Sequence, residues 1–205
     1  MQNLSIKLNT KEFEDSITGM KADMPWVIQN TINDLLKMAQ DAQYTTMRKN
    51  FTIRNEAFLK YSVRIQFASR QSQTGALFIA DLSGKHTSNI WETFEGGGTK
   101  TPTKGKYVAV PTDEAWPNKA TIRPTRNKPR NLRNSFVVRH GANKLILNRI
   151  GKKGKSIQVM YVLRGAVRIP DKLHFYDTVL PVIENNYQSV IERLLTVSMQ
   201  KRGFA

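Results

Sequence analysis

The sequence predicts an α+β fold: a mostly antiparallel sheet flanked by a long N-terminal and a long C-terminal helix, with long basic loops. Three observations predict it. Apolar residues recur at three- and four-residue spacing near both ends of the chain, the signature of amphipathic helices. The middle carries short apolar or alternating runs bounded by turn residues, as strands do. The strands are grouped together and do not alternate with helices, which favours α+β over a doubly wound sheet. With 205 residues and 40% hydrophobic content, the chain has enough apolar material for one domain spanning residues 1–205, with an extended irregular loop at about 112–133.

The elements follow in order. Leu4 to Asn9 alternates as a short strand would. Met24 to about Met47 reads as the first long helix, with Asp23 as its cap and Pro25 in its first turn. Trp26, Ile28, Ile32, Leu35, Leu36, Ala39 and Ala42 form its apolar face. Leu59 to Phe67 alternates strictly and predicts a strand buried on one face. The polar stretch after it leads to Ala76–Ala80, an antiparallel partner. His86 to Phe94 predicts a short helix capped by Thr87 or Ser88. Tyr107–Val110 is a strand stopped by Pro111. Phe136–His140, Lys144–Asn148 and Ser156–Leu163 are three more strands, joined by turns at Gly141 and at Gly151–Gly154. Val179, Ile183, Tyr187, Val190, Ile191, Leu194 and Leu195 mark the C-terminal helix, capped by Asp177 and ending near Lys201-Arg202-Gly203.

Gly96-Gly97-Gly98 serve neither helix nor strand stability; they let the chain turn sharply and approach something closely. No Gly-Lys-Ser/Thr follows them, so no phosphate loop is present. The chain has no cysteine, which excludes a disulfide framework, a thiolate metal site and a cysteine nucleophile. The N-terminus lacks the pattern of a signal peptide, and no run approaches the ~18 apolar residues of a membrane span. A soluble protein is expected.

Charge is the unusual quantity. Thirty-two Lys and Arg against 16 Asp and Glu give +16. Residues 99–155 hold 15 basic and two acidic residues, a local 15 − 2 = +13. Such a footprint points to an anionic partner. The candidate interface residues are Gly96, Gly97, Gly98, Lys100, Lys104, Lys106, Arg123, Arg126, Lys128, Arg130, Arg133, Lys152, Lys153 and Lys155. The cations from Arg123 to Arg133 are spaced along an extended frame, suited to a row of phosphates or carboxylates. Trp116 is the sole ring nearby, so a base-stacking platform is not indicated, and no motif for specific DNA or RNA reading is present.

Catalytic signatures are weak. His86, His140 and His174 are scattered without metal-ligand spacing. There is no Gly-x-Ser-x-Gly elbow. Glu92, Glu95, Asp113 and Glu114 offer carboxylate pairs, but lysines surround them and a solvated surface explains them. The expectation is no enzyme, no metal and no cofactor.

Two stretches carry a family resemblance. Phe94-Glu95-Gly-Gly-Gly leads to Gly105-Lys-Tyr-Val-Ala-Val-Pro-Thr112, and Tyr161 to Pro170 precedes the last helix. Together they resemble tailed-bacteriophage minor tail and tail-completion proteins of the neck, over roughly residues 88–200. The resemblance implies a non-enzymatic virion structural protein of the tail or neck, assembled in the host cytoplasm, that joins tail to head. It implies a ring of copies of itself, often hexameric, with tail tube, tail terminator or connector proteins as partners. Proximity to DNA is nonspecific, and no membrane is involved. The alternatives are a nonspecific basic nucleic-acid-binding protein and a tail terminator capping the tube.

Overall fold

A computed structural model describes residues 10–79, 88–103, 105–117, 123–141, 143–150 and 156–202. The expected strand at Leu4–Asn9 and the turn at Gly151–Gly154 lie outside the described residues. The elements are α1 (Thr10–Asn50), α2 (Glu56–Ser62), β1 (Val63–Gln66), β2 (Ala76–Ile79), α3 (Ser88–Gly96), β3 (Gly98–Lys100), β4 (Val108–Pro111), β5 (Ser135–His140), β6 (Asn143–Ile150), β7 (Ser156–Arg164), β8 (Val167–Ile169) and α4 (Phe175–Lys201). The α+β class holds: two long helices and antiparallel strand pairs throughout.

The chain forms two compact units. One gathers residues 1–45, 63–80 and 175–205; the other holds residues 46–62 and 81–174. In the first, α1 and α4 meet through Val27, Leu35, Val190 and Leu194, with Trp26, Ile183, Ile191 and Leu195 packed around them. These are the periodic apolar positions of both helices, so hydrophobic burial sets the pairing. Two ion pairs fasten the helices. Arg193 Nη2 donates to Asp34 Oδ2 at 2.8 Å, and Arg202 Nε donates to Asp23 Oδ2 at 2.8 Å. The β1–β2 hairpin is tied to α1 by Gln40 and Tyr44, both donating to the Val63 carbonyl at 2.8 and 3.1 Å. Gly75 lets the hairpin approach: a Cβ there would sit 2.6 Å from Leu36 Cδ1.

Three sequence expectations are corrected. The first helix begins at Thr10, so Pro25 is interior and Asp23 is no cap. An interior proline removes one backbone hydrogen bond. Tertiary contacts outweigh that cost here: Trp26 packs in the α1–α4 core, and the Asp23 carboxylate accepts from Ser198 Oγ and Arg202 Nε. The strand expected at Leu59–Phe67 is half helix, because Leu59 to Ser62 close α2. Asn55 starts that helix, its Oδ1 accepting from the Ala57 N–H at 2.9 Å and the Phe58 N–H at 3.4 Å. Alternation of burial therefore fails: Leu59 is buried and Tyr61 exposed. Finally, α4 begins at Phe175, which places Asp177 in its first turn and not at its cap.

In the second unit the main sheet has strand order β4-β7-β6-β5. The three strands expected between residues 136 and 163 are all present, and β4 falls one residue later than expected. A bulge leaves Met160 as an extra residue between Val159, opposite Leu147, and Tyr161, opposite Ile146. Met160 and Tyr161 are buried together with Ala115, against Ala109, Leu132 and Ile146. A separate aromatic cluster joins Phe51, Phe58, Trp91 and Phe94, with ring centroids of successive partners 5.0–5.7 Å apart.

Candidate functional site

Part of one face of the main sheet, around Ile146, Met160 and Tyr161, is covered by the proline-rich segment between β4 and β5. Its described parts are 112–117 and 123–133. Its low periodicity comes from two single 3-10 turns, Thr125–Asn127 and Pro129–Asn131. Side-chain amides brace it. Asn127 Nδ2 donates to the Glu114 and Ala115 carbonyls at 3.3 and 3.2 Å, and Asn131 Nδ2 donates to the Thr125 carbonyl at 2.7 Å. The buried Tyr161 hydroxyl, rising from β7, donates to the Asn127 carbonyl. Burial pushes the Tyr161 phenol above its usual range, and the charge and hydrogen bond of Arg123 oppose that rise. Trp116 lies under two guanidinium groups, Arg54 at 4.5 Å and Arg123 at 5.8 Å from the ring centroid.

Between this segment and the sheet is a cleft of about 480 Å³, within the usual range for small-ligand sites. Its floor includes Asn148 and Gln158, directly opposite each other on β6 and β7. Arg126 and Arg133 stand on its walls, with Glu114 as the one lining carboxylate among the described residues. Leu132, Ile150 and Met160 supply apolar surface. Among the described residues Asn148 Oδ1 is buried without a hydrogen-bond partner, and a buried unsatisfied carbonyl is costly. The cleft therefore presents two planar cations, four side-chain amides, one carboxylate and an apolar strip to a ligand.

The expected site residues divide as follows. Arg126 and Arg133 come together in the cleft; Lys128 and Arg130 lie on the same segment but do not line it. Arg123 is turned to Trp116 and Tyr161. Gly96 ends α3, Gly97 follows at φ 64°, and Gly98 opens β3 opposite Ile169. Gly97 acts as a helix stop, and a Cβ on it would lie 3.2 Å from the Asp171 nitrogen. Lys100 is exposed on β3, and Lys106 is exposed just before β4. Lys104, Lys152, Lys153 and Lys155 lie outside the described residues. Sequence reasoning missed Asn127, Asn131, Asn148, Gln158 and Tyr161. Asn148 did leave a signal, being a polar residue at the end of the apolar run Leu145–Leu147.

Charge separates between the units. The first holds nine basic and nine acidic residues. The second holds 23 basic and seven acidic ones, so 23 − 7 = +16 accounts for the whole net charge. The cleft lies entirely in this cationic unit.

A family model described as delta endotoxin matches residues 25–151, more than half of the chain. No curated protein and no solved structure matches the chain. The matched stretch ends before β7, so Gln158, Met160 and Tyr161 lie beyond it. This match overturns the resemblance to phage tail-completion proteins, and with it the expected head–tail joining function, its nucleic-acid-binding and terminator alternatives, and a place in the virion. The physical reason is visible in the motifs that carried the resemblance. The glycine run is a helix stop followed by a three-residue strand, and Val108–Pro111 is an edge strand ended by proline. Both are turn-and-strand chemistry that unrelated folds share. The span of the match decides the assignment: the chain belongs to the delta endotoxin family.

Proposed function

We propose that this chain is a non-catalytic recognition module of a toxin-type protein, and that it holds an acidic sugar in the cleft beside β6 and β7. The observation that carries this reading is the pairing of Arg126 and Arg133 with the Asn148–Gln158 floor in one cavity. Guanidinium groups bind carboxylate or sulfate through paired N–H donors. Amides donate to and accept from hydroxyls. Leu132, Ile150 and Met160 suit the C–H face of a sugar ring. The +16 of the surrounding unit favours an anionic ligand over a neutral one and speeds its encounter. The family match supports the toxin-type setting.

Titration calorimetry with a sulfated disaccharide and its neutral counterpart tests the proposal. The sulfated sugar binds and the neutral one binds at least tenfold more weakly. Arg133→Ala removes a charged hydrogen bond of about 1.5–3 kcal/mol, an affinity loss of roughly 10- to 150-fold. Equal binding of both sugars, or an Arg126→Ala/Arg133→Ala double variant that binds like the wild type, overturns it.

A further inference from the structure

The opposite face of the main sheet is apolar and, among the described residues, partly exposed. Strand register places Phe136 and Val138 of β5, Leu145 and Leu147 of β6, Ile157, Val159 and Val162 of β7, and Val108 and Val110 of β4 on this face. Val138, Ile157 and Val159 are exposed, Ile157 at 55%, and the other six are half-buried. Arg149 and Arg164 stand on the same face, with the Arg149 guanidinium 5.1 Å from the Phe136 ring centroid. So this is an apolar patch set among cations. Contiguous apolar surface of this kind marks an interaction site.

A second apolar patch has the opposite charge. On α4, Tyr176, Leu180 and Tyr187 fall on one stripe and are 63%, 51% and 53% exposed. The same helix buries Val190 and Leu194, within two turns beyond Tyr187. Asp177 and Glu184 flank the exposed stripe. Residues 175–192 hold three carboxylates and no Lys or Arg, in a chain whose net charge is +16.

We propose that the α4 stripe of one copy docks on the apolar sheet face of a second copy of this chain. Charge complementarity selects this occupant. Two sheet faces would bring arginines against arginines, and two α4 stripes would bring carboxylates against carboxylates; stripe against sheet pairs them. The contact joins two different patches, so it is heterologous, and each copy keeps one patch of each kind for a further neighbour.

Sedimentation of the full chain over a concentration series tests this. The wild type exceeds the monomer mass, and the excess grows with concentration. Leu180→Asp and Ile157→Asp each stay monomeric with an unchanged circular dichroism spectrum. An equimolar mixture of the two variants forms a one-to-one dimer, because the mixture keeps one intact stripe and one intact face. Leu180→Gln and Ile157→Thr carry the same expectation, so a folding defect in the aspartate variants does not remove the test. A wild type that is monomeric at every concentration overturns the proposal. So does wild-type assembly that these variants leave intact, or a variant mixture that stays monomeric while the wild type assembles.

Discussion

Tyr161→Phe tests whether the cleft is held open from below. The ring is fully buried, and the substitution keeps it. What goes is the hydroxyl, and with it the hydrogen bond to the Asn127 carbonyl and the partner of Arg123. A hydrogen bond contributes about 1 kcal/mol net, and a half-buried carbonyl left unpaired costs about another 1 kcal/mol. Local opening of the 123–133 segment should therefore become easier by about 2 kcal/mol, or roughly 30-fold. Amide hydrogen exchange reads this directly at Asn127, Lys128 and Asn131, whose N–H groups bond to the Pro124, Thr125 and Lys128 carbonyls. Exchange at these three should accelerate, while amides in β6 change little. Affinity for the sulfated sugar should fall as well, because Arg126 and Arg133 ride on the loosened segment. The phenol also sets a direction with pH. Its folded value lies above the usual 10.0, so the neutral form stabilises the fold below that pH, and the contribution fades as pH rises through it; the phenylalanine variant lacks this alkaline loss. Unchanged exchange at all three amides would refute the bracing argument.

Three further outcomes are expected. Asp23 is held below the usual carboxylate range, first by the hydrogen bond from Arg202 and then by that from Ser198; its contribution is present above about pH 3.8 and is lost as pH falls through the lowered value, so Asp23→Asn is less stable than the wild type at neutral pH and the gap closes in acid melts. Gly97→Ala forces a side chain into φ 64° with backbone 3.2 Å away and costs about 1–2 kcal/mol in urea unfolding, whereas Gly96→Ala, with nothing within 4 Å of the added Cβ, is neutral or stabilising. Asn55→Ala removes the cap of α2 and costs about 1 kcal/mol, measured in the same way.

Local chemistry written along the chain was legible without coordinates. Periodic apolar residues gave both long helices, and turn residues between apolar runs gave the antiparallel strands of the main sheet. The one strong misreading, at Leu59–Ser62, shows how narrow the margin is: four alternating residues fit a strand until Asn55 caps a helix ahead of them. Short family-like motifs misled for a related reason, since a helix-stopping glycine and an edge strand recur in many folds.

The site was legible only in part. Arg126 and Arg133 stood out by charge, yet nothing in their spacing separated them from Lys128 and Arg130. That separation comes from the 3-10 turns and from Tyr161, a residue 34 positions away from the Asn127 carbonyl it meets. Likewise Asn148 and Gln158 become one floor only through strand register.

By itself the sequence determined the element types, the α+β class and the sign and size of the charge, because each depends on neighbours within a few residues or on composition alone. Tertiary structure alone decided that one unit is neutral and the other carries all +16, since the neutral unit is assembled from three separate chain segments. It also decided which face of the main sheet carries the cleft, because a strand's alternation marks two faces but not what, if anything, packs on each.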